Sequence, residues 1–260
     1  MGFWLKHLKQ KRNKFCPLVR CSGGKGKAEK IAEREYELIQ IAHQLVDELG
    51  FTNLTMDKLV SASPYSKGTI YNHFNCKEDV FAALGVHSMG LCSELMIKAA
   101  NFNGNSRERG LAMHFAYRLY SQLEPALFMC AISTKTSTVG EKASAQRLTQ
   151  LDESDKKIAL LCDQVFDDAI KDGSLNIDPL LIPKYSFANW SFSFGTNLLL
   201  QNAADSFAIT RLNLDNSVLF NINILFDGMG WLPLSGEFDY VKSWQKLEVY
   251  FSDYLAMLKN

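Results

Sequence analysis

Between Thr55 and Phe74 the sequence reads as two very short helices separated by a proline-bearing break. Thr55 is a good N-cap, its hydroxyl facing unpaired backbone N–H groups. Met56, Leu59 and Val60 then supply a buried stripe. Ser63-Pro64 ends this first helix, because the residue before a proline is pushed out of the α region. Ser66 caps a second helix of two turns, Lys67 to Phe74, in which Ile70 and Phe74 lie four apart and face inward. Lys67, Gly68, Thr69, Asn72 and His73 then face outward, with Tyr71 at the border. A longer helix should precede the pair from near Ala28, since Ile31, Leu38, Ile39, Ala42, Leu45, Val46 and Leu49 recur at helical spacing. Gly50 stops it at the C′ position, and Phe51 is free to fold back onto the helix it leaves. Two short helices joined by a tight turn and preceded by a longer one form a helix-turn-helix, whose second helix enters the DNA major groove. The outward set is short, polar and rich in donors, as base-edge and phosphate contacts require.

A fourth helix follows, with Asn75 as its cap and Glu78 three residues on, the spacing of a capping box. Val80, Phe81, Leu84, Leu91 and Leu95 carry it towards Asn101, and Asn103-Gly104-Asn105 breaks the chain. Gly85 and Gly90 weaken this helix, so a domain boundary is expected near residue 85. Beyond it the pattern remains helical: 106–133 with a kink at Pro125, then 140–172, 179–203, 215–230 and 238–259. In the last of these Tyr240, Trp244, Leu247, Phe251, Tyr254 and Leu258 alternate steps of four and three, a seam suited to another helix. The expected fold is all-α: a basic flexible arm (1–27), an N-terminal three-helix helix-turn-helix domain (28–84) and a larger helical domain (85–260).

Composition narrows the functional classes. Hydrophobic residues make up 47% of the 260 and charged residues 22%, which is ordinary for a globular chain able to bury a core. The formal net charge is zero, yet residues 1–30 carry nine Lys and Arg against the single acid Glu29. A basic arm on an acidic body suits an anionic partner, or it is simply a solvated tail. Residues 31–80 hold only Arg34, Lys58, Lys67 and Lys77 against eight acids. The helix-turn-helix would therefore need the arm to follow phosphates or enter a minor groove. No apolar run approaches the roughly 18 residues that span a bilayer, and the first residues suit neither a signal peptide nor a myristoylation site. No membrane partner and a cytoplasmic location are therefore expected. Cys16 and Cys21, with His7 upstream, have zinc-like spacing but lack a second ligand pair, so no metal or other cofactor is expected. No G-x-S-x-G, H-E-x-x-H, P-loop or dinucleotide fingerprint occurs, which speaks against an enzyme.

The run from Thr55 to Val80, TMDKLVSASPYSKGTIYNHFNCKEDV, closely resembles the DNA-binding signature of the TetR family of transcriptional regulators. The resemblance covers residues 30–85, including the upstream helix and Gly50-Phe51. It implies that Thr55 caps its helix and touches a phosphate, and that Ser66, Lys67, Gly68, Thr69 and Asn72 lie where the family reads DNA. Tyr71, His73 and Lys77 lie where it grips the backbone. Tyr71 packing on the first helix, and Asn72 and His73 as plain solvated residues, are the alternatives for single positions. The turn departs from the family: Ser63-Pro64-Tyr65 stands where Ala-Gly-hydrophobic is usual. Proline cannot supply the positive φ of glycine, so a shift of the recognition helix by a fraction of a turn stays open.

The resemblance further implies that residues 85–260 are a helical ligand-binding and dimerisation domain. His114, Tyr117, Arg118, Phe128, Trp190 and Phe194 are the candidate ligand set, with other aromatic residues serving as core or pocket wall. One short recognition helix reads too few bases for specificity, so a homodimer on a palindromic operator is expected. The candidate interface helices are 179–203, 215–230 and 238–259. A small hydrophobic ligand would then move the fourth helix as a lever and release the DNA. The competing expectations are a DNA-bound structural or protein-interaction factor of the same fold with no small-molecule inducer, and an activator.

Overall fold

A computed structural model of the chain describes residues 26–212 and 217–259, all of them in helices, turns and loops with no strand among them. The first helix, α1 (Lys27–Leu49), buries Leu38, Ala42 and Val46 at intervals of four. Ile31 and Leu49, expected on the same stripe, are exposed. Gly50 ends α1 with φ +80, a conformation that suits glycine, and donates its N–H to the Val46 carbonyl. Phe51 then stacks on Phe81, ring centres 4.0 Å apart. Next come α2 (Met56–Ala62) and α3 (Lys67–Tyr71). The break between them needs no positive φ at its start: Ser63 is extended at φ −95, ψ 144, as a residue before proline should be. Its hydroxyl accepts the Tyr65 N–H at 3.1 Å. The Tyr65 hydroxyl donates to Glu37 on α1, and Arg34 lies over its ring at 5.3 Å, so the unusual turn is tied to the first helix.

Helix α4 (Lys77–Ala100) starts one residue later than the sequence suggested. Its N-cap is Cys76, without a side-chain cap bond, and the Asn75 N–H donates instead to Asp79 Oδ2 at 3.2 Å. It runs unbroken through Gly85 and Gly90. Gly85 is a packing site: a Cβ there would stand 2.6 Å from Thr134 Cγ2 and 3.0 Å from Leu151 Cδ2. By length and composition α4 could cross a membrane, but 67% of that stretch is buried within the molecule, as befits its central helix. Around it pack α5 (Ser106–Leu123), α6 (Pro125–Ser133), α7 (Ser137–Lys142) and α8 (Ala145–Lys171). Pro125 does not kink one long helix; it opens α6 at its first position, where its missing N–H costs nothing. The expected 140–172 helix is likewise split, because Asp79 Oδ1 accepts both the N–H and the hydroxyl of Ser144.

The remaining helices are α9 (Ile182–Asn202), the single turn α10 (Phe207–Thr210), α11 (Ser217–Gly228), α12 (Tyr240–Tyr250) and α13 (Ser252–Leu255). The expected 238–259 helix is interrupted at Phe251, and its seam packs inside the chain. Tyr240, Trp244, Leu247, Phe251 and Tyr254 are buried, with Trp244 edge-on to Phe115 of α5 at 4.8 Å. Arg107 is fully enclosed there, paired with Asp227 at 2.6 Å and lying 4.6 Å from the Tyr240 ring centre. Helix α9 is turned inside out. Its buried positions, Asn189, Ser193 and Asn197, are polar and four apart, whereas Phe187 is 64% exposed, and Trp190, Phe192 and Leu199 also reach solvent.

Candidate nucleic-acid interface and internal cavity

Helices α1, α2 and α3 close on a small core in which Leu38, Leu59, Ile70 and Phe74 have no exposure; Leu127 and Cys130 of α6 join it. Each such side chain contributes about 1.5–3 kcal/mol relative to exposure, enough together to hold α3 firmly against α1. The opposite face of α3 is open. Ser66, Lys67, Gly68, Tyr71 and Asn72 are exposed and Thr69 is half-buried. Thr55 and Ser66 both cap as expected, accepting the N–H of Lys58 and of Thr69, each at 3.2 Å. Lys67 Nζ lies 5.6 Å from the Tyr71 ring centre and 3.6 Å from Asp57. Lys77 is exposed on the first turn of α4, 6.0 Å from the Phe81 ring. Gly68 has ordinary helical backbone, and a Cβ there would meet nothing within 4 Å. Nothing among the described residues requires a glycine at that position.

His73 departs from its expected outward placement. Because α3 ends at Tyr71, three residues earlier than expected, the chain turns at Asn72-His73. The imidazole swings towards α1, 5% exposed, with Nδ1 3.4 Å from Glu35 Oε2. Glu35 also receives Arg147 of α8 at 2.6 Å, and that guanidinium lies 5.7 Å from the Phe74 ring centre. The acidity of residues 31–80 is therefore partly used inside the molecule: Glu35, Glu37, Glu78 and Asp79 all have internal partners. Cys16, Cys21, His7 and the arm up to Lys25 lie outside the described residues.

A cavity of about 350 Å³ lies between α4, α5, α8, α9 and α11, with Met89, Met113, Ile158, Phe166 and Trp231 among its walls. Three of the six expected ligand residues, His114, Tyr117 and Trp190, line it. The other three do not. Arg118 faces Trp244 of α12, and Phe128 is buried against Phe194, ring centres 5.3 Å apart. His114 Nε2 lies 3.0 Å from Asn189 Oδ1, and Trp190 Nε1 donates to the Tyr117 hydroxyl at 3.1 Å. Burial pulls the His114 pKa down to about 4, against a small upward effect of Asn189, so the ring is neutral at pH 7. At the rim Lys135 pairs with Asp155 at 2.8 Å, and Ser186 donates to Asp163. Asn189 and Ser193 were missed from the sequence. Their signal was present as a polar i, i+4, i+8 row in a helix otherwise rich in aromatic residues.

Residues 38–84 match the family model described as bacterial regulatory proteins, tetR family. No protein of curated function matches the chain. Among solved structures, a TetR/AcrR family transcriptional regulator from Thermobifida fusca superposes with a TM-score of 0.56 at 18% identity, covering 75% of this chain and 98% of its own. The fatty acid degradation regulator FadR of Bacillus halodurans gives 0.56 at 18% identity, over 81% and 98%. The ketosteroid transcriptional regulator KstR2 of Mycobacterium tuberculosis gives 0.53 at 14%, over 75% and 94%. Residues 38–84 thus carry a segment of the tetR family of bacterial regulatory proteins, and the chain as a whole has a fold like that of such regulators.

Proposed function

We propose that the chain is a homodimeric repressor that reads a palindromic operator through α3 and is released from it by a small hydrophobic ligand. The observation that carries this reading is the open face of α3, with Gly68 where nothing among the described residues needs a glycine. A glycine on a recognition helix lets backbone approach a base edge or phosphate more closely than any side chain would. In this account Lys67, Gly68, Thr69 and Asn72 meet bases. Thr55, Ser66, Tyr71 and Lys77 meet phosphates, the last aided by the N-terminus of α4. His73, enclosed against Glu35, positions the end of α3 and makes no direct contact. The basic arm adds phosphate contacts that the domain itself lacks. Residues 28–84 are thus the reading head, 85–260 the ligand-binding and dimerising body, and the complex works in the cytoplasm, where bacterial DNA is.

The second copy is argued from the inverted α9. Phe187, Phe192 and Leu199 are exposed on it, as are Phe220 and Ile224 on neighbouring α11. A patch of this kind marks an association surface, and a twofold axis would pair α9 and α11 with their counterparts. The cavity supports a ligand, whereas a protein-interaction factor of this fold would have a filled core. Regulators of the same fold are named for fatty acid degradation and for ketosteroids, both apolar chemistries. Selection of bound duplexes from a random pool tests the proposal. Inverted half-sites about one helical turn or more apart are expected; a sequence-independent, salt-sensitive pool contradicts it.

A further inference from the structure

The hydrogen bonds around the cavity fix which polar groups it offers. Asn189 Nδ2 donates to the Tyr185 carbonyl at 2.8 Å, so its amide is oriented with Oδ1 towards His114 Nε2. An amide oxygen only accepts, so Nε2 carries the imidazole proton and Nδ1 is a bare acceptor. The Tyr117 hydroxyl already accepts from Trp190 Nε1, which leaves its own hydrogen to donate. His114 and Tyr117 are three residues apart on α5 and share a face. Both residues line one apolar chamber, so the groups they leave to a ligand are one acceptor, His114 Nδ1, and one donor, the Tyr117 hydroxyl. Its charged lining residues are Lys135, Asp155 and Asp163, and the cation is already paired at 2.8 Å. A carboxylate would find no unpaired cation and one surplus anion.

We propose that the cavity takes an uncharged, mainly apolar molecule bearing a hydroxyl group, which accepts from Tyr117 and donates to His114. A hydroxyl does both at once. A ketone or ether can only accept and leaves the His114 nitrogen unmet, a loss worth about tenfold in affinity. The assignment names the ligand class within the ligand-release reading above and rests on that reading only for its effect on DNA.

The test compares decanol, decyl methyl ether, decanoate and decyltrimethylammonium by titration calorimetry on the full chain without DNA. Decanol should bind about tenfold more tightly than the ether and more tightly than either charged molecule. Tyr117→Phe and His114→Phe should each weaken decanol about tenfold, and His114→Phe should erase its margin over the ether. Tighter binding of decanoate or of the ammonium overturns the assignment, as does equal binding of alcohol and ether or no binding at all. The comparison on the unaltered chain stands even where a variant fails to fold. Tight decanol binding that leaves DNA affinity unchanged would instead contradict release by ligand and leave the assignment standing.

Discussion

At Gly68 folding and the proposed DNA reading favour opposite residues. In a helix alanine is preferred to glycine by up to about 1 kcal/mol, and here a methyl group would project into open space. Gly68→Ala should therefore hold or raise the melting temperature while lowering operator affinity at least tenfold, read by thermal unfolding and by titration of the selected duplex. Unchanged affinity would remove Gly68 from the interface. Titratable residues give a second expectation. Burial pulls His114 to about 4, and burial with the charge of nearby His43 does the same to His87. Below pH 6.5 the unfolded chain protonates both imidazoles and the folded chain does not, so stability falls as pH drops towards 4. For His43 burial acts downward, but the hydrogen bond and charge of Glu124 raise its pKa overall, so it contributes with the opposite sign. With two groups against one, the melting temperature should fall between pH 7 and 5, and His114→Asn should flatten the slope; a rise on acidification would contradict this. Capping residues such as Thr55 and Ser66 were legible in the sequence because their bonds are local. His73 was not, since its place depends on a helix end set by tertiary packing.

Among the elements, α4 was misread most. Two glycines suggested a weak helix, yet α4 is unbroken and Gly85 is where it lets Thr134 and Leu151 come close. Gly85→Ala should lower stability by about 1–3 kcal/mol through overpacking, despite its better helix propensity; a neutral or stabilising result in urea unfolding would show that these neighbours give way freely. The split of the expected 140–172 helix was equally hidden, since the Asp79–Ser144 contact joins residues 65 apart. That junction gives α8 two ends with different neighbours. Its later turns wall the cavity, and Arg147 near its start grips Glu35, beside His73 and Phe74. In the proposed release, a ligand that shifts α8 would reach α3 through α1 as well as through α4. Arg147→Met should leave decanol affinity unchanged and reduce the ligand-induced loss of operator affinity, measured as the ratio of the two DNA dissociation constants. An unaltered ratio would confine coupling to α4.

For the molecule as a whole, the helical class, the helix-turn-helix and the approximate helix order were legible, because periodicity and caps are carried by neighbours in sequence. The cavity and the exposed faces were not. The 238–259 seam pointed to a partner helix, and that partner is within the same chain, whereas the exposed aromatic residues lie on α9 and α11. Which apolar stripe faces inward depends on how many neighbours each helix has, and that is a property of the assembled fold. The central claim is that two such chains read one site together. It is tested most directly by the mass of the protein–DNA complex in native mass spectrometry, on a selected duplex and on the same duplex with one half-site scrambled. Two chains on the full site, and loss of specific binding on the half-site, are the expected results. One chain per duplex, bound equally well to both, would contradict the account.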